Sequence, residues 1–492
     1  MLRGKQSHSE PDMPKRRAPE AQLPTPASEQ TTIDNERKNV KEKIEPDERF
    51  DVFDNLPLTT NVEDNKWVKY LPTTRTDNEV HFSIPVSRVF ACVNNIKLQW
   101  KCRVRADANS DAGPAFDADW GIIDDPATTM WKQAKVSVSG QTLTATNQNL
   151  AYGKIMKTYA MDNLENLGSR NQGGLTLDSA FYKQLRNNAN SDMQRRKRLF
   201  QHPGDPWPRT GTPPAADKRP FNGTPTFFTD LEKAVDFFNN PKLVIPGVEI
   251  EMVLYKQDDA FVLMGPDGAE YTTEVLEPTL WIQYIKAIPS KSVQLQTTLF
   301  ENNDAAKYAI QSTMIRTFTL PGGVNFWRRG QIFENNTPNV VLLAMVDSTA
   351  RSGAYKENPF DFKTYGLTDI LVTKGVEEAA PRLYCDPEGD YAEAVEQLYR
   401  ATGHDRMLHG TRIINRDNFR GGYAIFGYCL TPDGEYKPWS VKEGINTGGQ
   451  GVGVEIRFSQ NLPHNVDLIA VGLVDNNVFI DGGRNVVLET QI

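Results

Sequence analysis

A chain of 492 residues exceeds what one hydrophobic core serves and should divide into two or three domains. Its 39% hydrophobic content can pack such cores, and 31 prolines with 35 glycines favour many turns and many short strands. A net charge of −8 excludes a global electrostatic grip on nucleic acid and leaves only local contacts.

Residues 1–50 read as a disordered tail, because their Pro, Gln, Ser, Glu and Lys cannot bury enough surface to offset ordering entropy. The tail opens without the apolar segment of a signal peptide, and no window of the chain reaches the length of a membrane span. A soluble protein made inside the cell is the expectation. Within the tail, Lys15, Arg16 and Arg17 resemble a nuclear-import or nucleic-acid patch. A solvated charge cluster beside Glu10, Asp12 and Glu20, or an arm that orders against a partner, are the alternatives.

Strands begin at Glu79 to Val86. In Ile96 to Val104, apolar Ile96, Leu98, Trp100, Cys102 and Val104 alternate with Lys97, Gln99, Lys101 and Arg103, which predicts a strand with a basic solvated face. Trp131 to Ala145 predicts a hairpin turning at Ser139-Gly140, and Asn147 to Leu164 a helix. Residues 168–225 read as a long irregular insertion, with Arg195 to Arg198 as an exposed basic loop. Phe227 to Asn240 predicts a short helix on a sheet, and Gly247 to Leu254 and Thr279 to Ala287 predict further strands.

Pro289 to Val293 reads as a junction, after which the plan repeats. Ile310 to Leu320, Val340 to Asp347 and Asp369 to Thr373 are strands, and Asp390 to Thr402 a short helix. Arg420 to Asp433, Gly451 to Phe458 and Val466 to Asp475 are β-rich runs bounded by turn residues. Gly247-Val248 and Gly451-Val452 open similarly alternating strands about 200 residues apart, a weak internal repeat. The expected fold is all-β: two tandem eight-stranded jelly-roll β-sandwiches, a double jelly roll, with short helices and long loops. The boundaries are a tail over 1–50, a first jelly roll over 51–288 and a second over 289–492.

No catalytic constellation accompanies these strands. Asp124-Asp125, Asp258-Asp259, Glu377-Glu378 and Asp386/Glu388/Asp390 are adjacent carboxylates that read as solvated loop residues. Cys92, Cys102, Cys385 and Cys429 form no metal or disulfide pattern, and His404 and His409 stand without a ligand set. Gly448 to Gly453 leads into a strand and lacks the helix N-terminus that holds phosphate. The chain reads as no enzyme, with no cofactor and no sequence-specific nucleic-acid binding.

Several segments, in order, resemble the double jelly-roll major capsid proteins of Polinton/Maverick elements and adintoviruses, in the adenovirus and virophage capsid lineage. They are Trp131 to Gly140 with Asn147 to Met156, Ala306 to Thr313, Tyr355 to Phe362, Gly421 to Asp433, and Val454 to Phe458. The resemblance implies a homotrimer whose six jelly rolls form a pseudo-hexameric capsomer of an icosahedral shell around double-stranded DNA. It implies capsomer–capsomer contacts, penton and minor capsid partners, and a place in the virion capsid. The chain would be made in the host cytoplasm, with the nucleus as a second candidate assembly site. Trp207, Trp327 and Tyr355 are candidate trimer-contact aromatics on loops, or else local core anchors. The rival readings are a carbohydrate-binding or carbohydrate-cleaving β-sandwich and a domesticated capsid relative that no longer assembles.

Overall fold

The structure is a computed structural model. It describes residues 61–115, 118–145, 149–164, 173–175, 196–201, 221–301, 304–333, 337–389, 391–404, 411–431, 434, 436 and 451–490. The N-terminal cluster at Lys15, Arg16 and Arg17, together with Trp207, Arg195 and His409, lies outside the described residues. Residues 60–492 form one compact unit.

In the first half the strands are β1 (Val62–Tyr70), β2 (Thr74–Arg75), β3 (Glu79–Ile84), β4 (Phe90–Arg105), β5 (Gly121–Ile122), β6 (Trp131–Val138), β7 (Gln141–Ala145), β8 (Thr226–Asp230), β9 (Ile250–Lys256), β10 (Leu263–Met264) and β11 (Thr272–Ala287). The second half holds β12 (Ala306–Leu320), β13 (Phe326–Phe333), β14 (Val340–Asp347), β15 (Leu367–Lys374), β16 (Glu377–Glu378), β17 (Leu383–Tyr384), β18 (Ile425–Cys429), β19 (Val452–Phe458), β20 (Val466–Ile480) and β21 (Val486–Thr490). The longer helices are α1 (Leu150–Met161), α2 (Pro289–Gln296) and α3 (Ala392–Ala401).

Sheet order makes the repeat explicit. One sheet of the first half runs β1-β11-β4-β8 and the other β2-β3-β9-β6-β7. The second half has β12-β20-β14-β18, with β21 also on β20, and β13-β19-β15-β16, with β17 on β15. In both halves the last long strand lies between the first strand and the same mid-chain strand. β9 and β19, the strands carrying the sequence repeat, are central in corresponding sheets, and the named strands pair with their neighbours antiparallel. The fold is a double jelly roll.

Alternation explains the cores. On β4, Ile96, Leu98, Trp100, Cys102 and Val104 are fully buried, while the residues between them stay partly exposed. Trp100 packs against Trp131 at 5.9 Å and Phe227 at 5.2 Å between ring centroids, and both indole N–H groups donate to the Ala127 carbonyl, at 3.3 and 3.2 Å. Buried indoles need such a partner. The β6–β7 hairpin turns at Ser139 (φ 45°) and Gly140 (φ 82°), the two positive φ values that a tight two-residue hairpin demands.

Three expectations change. Phe227 and Phe228 lie on β8, not on a helix. Two short 3-10 turns, Leu231–Lys233 and Asp236–Phe238, follow it, since β8 finds a pairing partner in β4. The junction after Pro289 is helical, with proline at the first turn of α2, where its missing N–H costs nothing. Arg196 and Lys197 are buried rather than exposed, at 1% and 6% of their surface.

α3 explains one glycine. It covers β18, and a Cβ at Gly427 would sit 2.7 Å from Leu398 Cδ1 and 3.1 Å from both Ala401 Cβ and Leu398 Cα. Gly427→Val should therefore cost about 1–3 kcal/mol by overpacking, read as a lower urea midpoint with an unchanged slope.

Candidate functional site

Asp124 and Asp125 are buried, at 1% and 4% exposure, which corrects the solvated reading. Asp124 Oδ1 lies 3.4 Å from the buried Arg196 guanidinium, whose Nε donates to the Ile122 carbonyl at 2.9 Å. Asp124 Oδ2 accepts from the Tyr159 hydroxyl at 3.0 Å. The pair is a structural clamp, and Lys197 extends it by donating to the Ala118 carbonyl at 2.6 Å. Asp259 is likewise engaged, accepting from Lys256 Nζ at 2.8 Å and from Thr273 N at 2.9 Å.

Among the described residues no group of three His, Cys, Asp or Glu side chains could hold a metal ion. His404 is buried, with Nδ1 2.9 Å from Thr402 Oγ1. All four cysteines are free. Burial pushes the Cys385 thiol up to about 12, with Glu393 and Asp369 adding to the shift, which leaves it protonated and a poor nucleophile at neutral pH. No helix among the described residues is long and apolar enough to cross a membrane.

The basic row on β4 is neutralised by its neighbours. Lys97 meets Asp230 at 2.9 Å, Lys101 meets Glu277 at 2.6 Å and Arg103 meets Glu274 at 3.6 Å. It is the outer face of a sheet, not a phosphate track. A second cluster lies on the β15–β19 sheet, where Arg382 bridges Asp369 at 2.5 Å and Glu455 at 3.0 Å, and Arg457 reaches Glu455 at 3.3 Å.

What the site offers instead is a joint between the two jelly rolls. α1, which follows the first-half hairpin, carries Tyr152 and Tyr159 into the second half. Tyr152 meets Phe261 at 5.8 Å and Phe360 at 5.7 Å, and Tyr159 meets Tyr423 at 5.0 Å and Phe362 at 6.4 Å. Gly153 allows the approach, since a Cβ there would lie 2.5 Å from Ile315 Cδ1. Around these rings, Asp236 accepts from Thr313 N and Oγ1, both at 2.7 Å, and Lys157 donates to Thr313 Oγ1 at 2.9 Å. Tyr308 accepts from Ile245 N at 3.1 Å, and burial pushes its hydroxyl up to about 12.

Of the candidate contact aromatics, Trp327 sits on β13 rather than on a loop, half-buried and 6.2 Å from Phe318. Tyr355 bridges the halves within the chain: its hydroxyl donates to the Tyr271 carbonyl, and its own carbonyl accepts from Gly265 N, each at 2.8 Å. Sequence reasoning missed β1 and with it Trp67, 40% exposed. The signal was weak, because β1 is polar along most of its length.

No family model matches the chain. Among curated proteins, Uncharacterized protein F54H12.2 of Caenorhabditis elegans is 25% identical over 215 residues, 43% of this chain. The match spans about half (51%) of that relative's length. Among solved structures, a chain of the Sputnik virophage, solved by cryo-EM at 3.5 Å, superposes with a TM-score of 0.55 at 10% identity, covering 91% of this chain and 93% of its own. The crystal structure of the mavirus major capsid protein gives 0.49 at 9% identity, covering 97% of each chain. The Sputnik likeness agrees with the strand order in showing the double jelly-roll fold.

Two outcomes follow from the charged clusters. Asp124→Ala removes the acceptor of the Tyr159 hydroxyl and the carboxylate beside Arg196, and should cost about 1–3 kcal/mol, read by urea unfolding. The second concerns Glu455. Burial pushes its carboxyl up, but Arg382 and then Arg457 hold it below its usual value. Its stabilisation is therefore present above about pH 4.3 and lost as pH falls through the lower folded-state value. Arg382→Met should flatten that acid limb in urea midpoints taken between pH 3 and 6.

Proposed function

We propose that this chain is a major capsid protein of the Polinton/Maverick and adintovirus type, a structural subunit and not an enzyme. It trimerises into pseudo-hexameric capsomers of an icosahedral shell enclosing double-stranded DNA. The observation that carries the reading is one strand order repeated in two jelly rolls, in a fold shared over nine-tenths of the chain with a chain of the Sputnik virophage. Asp124, Asp259 and His404 are engaged in hydrogen bonds within the fold, which suits a building block.

In this reading the tail covers 1–50, the first jelly roll 51–288 and the second 289–492. The pairing of all named strands within one half or the other supports a division near α2. The partners are further copies of the chain, then neighbouring capsomers, a penton protein and minor capsid proteins. The location is the virion capsid, with synthesis in the host cytoplasm. Lys15, Arg16 and Arg17 would serve import if assembly is nuclear. Trp207 and Trp327 stay candidates for contacts between copies, whereas Tyr355 is committed within the chain.

A second reading, a domesticated capsid relative that has lost assembly, is favoured by one observation: the curated relative comes from an animal.

Light scattering on the purified chain tests both. A stable species of three times 55.3 kDa with a pseudo-hexagonal outline in negative stain is the expected result. A monomer that persists across concentration and salt rejects the capsomer and leaves the domesticated reading.

A further inference from the structure

Corresponding sheets in the two halves have unequal outer faces. In the second half, Ile469, Val471 and Leu473 of β20 lie opposite Ala344, Leu342 and Val340 of β14, and all six are wholly buried. They point away from their own sandwich. The face that Ile315 shares with Val471 receives Gly153 of α1, and Thr313 on the same face receives Asp236 and Lys157, all from the first half.

Among the described residues the matching face of the first half has no such cover. On β11, Thr279, Trp281, Gln283 and Ile285 are only partly buried, as are Lys97, Gln99, Lys101 and Arg103 on β4. Register aligns an aromatic strip across this sheet. Trp67 on β1 pairs with Gln283, Lys69 and Lys97 both pair with Trp281, and Gln99 pairs with Phe228 on β8. Residues directly opposite in an antiparallel pair share a face. Trp281 lies 6.3 Å from Phe228, its indole N–H donates to Gln99 Oε1 at 2.9 Å, and Lys69 Nζ stands 4.1 Å over its ring. The ion pairs of the β4 row surround the strip.

We propose that this outer face of the β1-β11-β4-β8 sheet seats the second jelly roll of another copy of the chain. The proposal rests on the capsid reading and names the surface through which the copies meet. Within one chain, α1 and the Asp236 turn of the first half cover the β12 side of the corresponding face of the second half, and α3 of the second half covers its β18 side. Among the described residues the repeated topology leaves an equivalent face on the first half without cover, so the same head-to-tail relation continues from chain to chain. Such heterologous contacts close into a ring when the rotation permits. The chemistry matches the division of labour: the face covered within the chain is aliphatic and permanently buried. The open face has aromatic anchors inside a charged rim, the make-up of an interface whose partners are first soluble apart.

The test uses the full chain and measures mass by light scattering across a dilution series. Trp67→Glu and Trp67→Glu/Trp281→Glu should raise the concentration at which half the chains are monomeric by about tenfold or more, the scale of a hot-spot loss. Urea midpoints check that the fold persists. A photo-crosslinker at position 67 in the otherwise unaltered chain, with copies of two isotopic labels mixed, should join it to residues 306–490 of a different copy. A trimer indifferent to both Trp variants overturns the surface while the capsid reading stands; a wild-type monomer overturns that reading first. Crosslinks confined to residues 1–60, or binding of a glycan array abolished by Trp67→Glu without any change of mass, would assign the face to another occupant and overturn the proposal.

Discussion

The buried aromatic joint around α1 is the contact on which the rest of the molecule depends. Each edge-to-face ring pair there contributes about 0.5–1.5 kcal/mol beyond the area it buries, and Tyr152 and Tyr159 each enter more than one pair. The joint also dictates chemistry at a distance. Tyr159 is held by Asp124, and Asp124 by Arg196, so a buried ion pair in the first half sets the position of a ring that packs on Tyr423 in the second. A buried pair of this kind is weak support for stability in itself, and its use here is to fix orientation.

Two sandwiches with the same strand order solve one problem twice, yet their surfaces have diverged. β20 is buried on both faces over Val466–Leu473, while β11 alternates between core and partial exposure along most of its length. The near-continuous apolar run of β20 is the mark of a strand covered on both sides. The alternation in β11 marks a strand with one open side. In the proposed assembly, that difference separates the surface used within the chain from the surface that meets another copy.

Much of this was legible from residue order. Val340–Asp347 and the Trp131–Ala145 hairpin have strand patterns that no competing helix period disturbs, and the hairpin turn is announced by Ser139-Gly140. The resemblance to capsid proteins anticipated the double jelly roll that the sheet order displays. What escaped has a physical cause in each case. β1 reads as loop because its strand identity comes from pairing with β11, not from its own hydrophobicity. Phe227 and Phe228 look helical in a run of apolar residues too short to show a period. The burial of Asp124 and Arg196 depends on residues 72 apart meeting, which no local pattern encodes.

The register of β20 carries a consequence for the order of events in synthesis. Ala306 pairs with Ile480 and Leu320 with Val466, so the strand that opens the second sandwich waits for one made some 150 residues later. The first sandwich has the same dependence, Val62 pairing with Ala287. Pairings this distant in sequence are slow to form, because loop closure precedes any reward. The face that receives α1 carries Ile315 and Thr313 of β12, which β20 flanks at Val471 and Leu473, so a nascent chain stalled before Val466 has only part of the seat for that helix. Docking of the two halves is completed only once β20 has been made, and translation thereby disfavours higher-order association of shorter nascent chains.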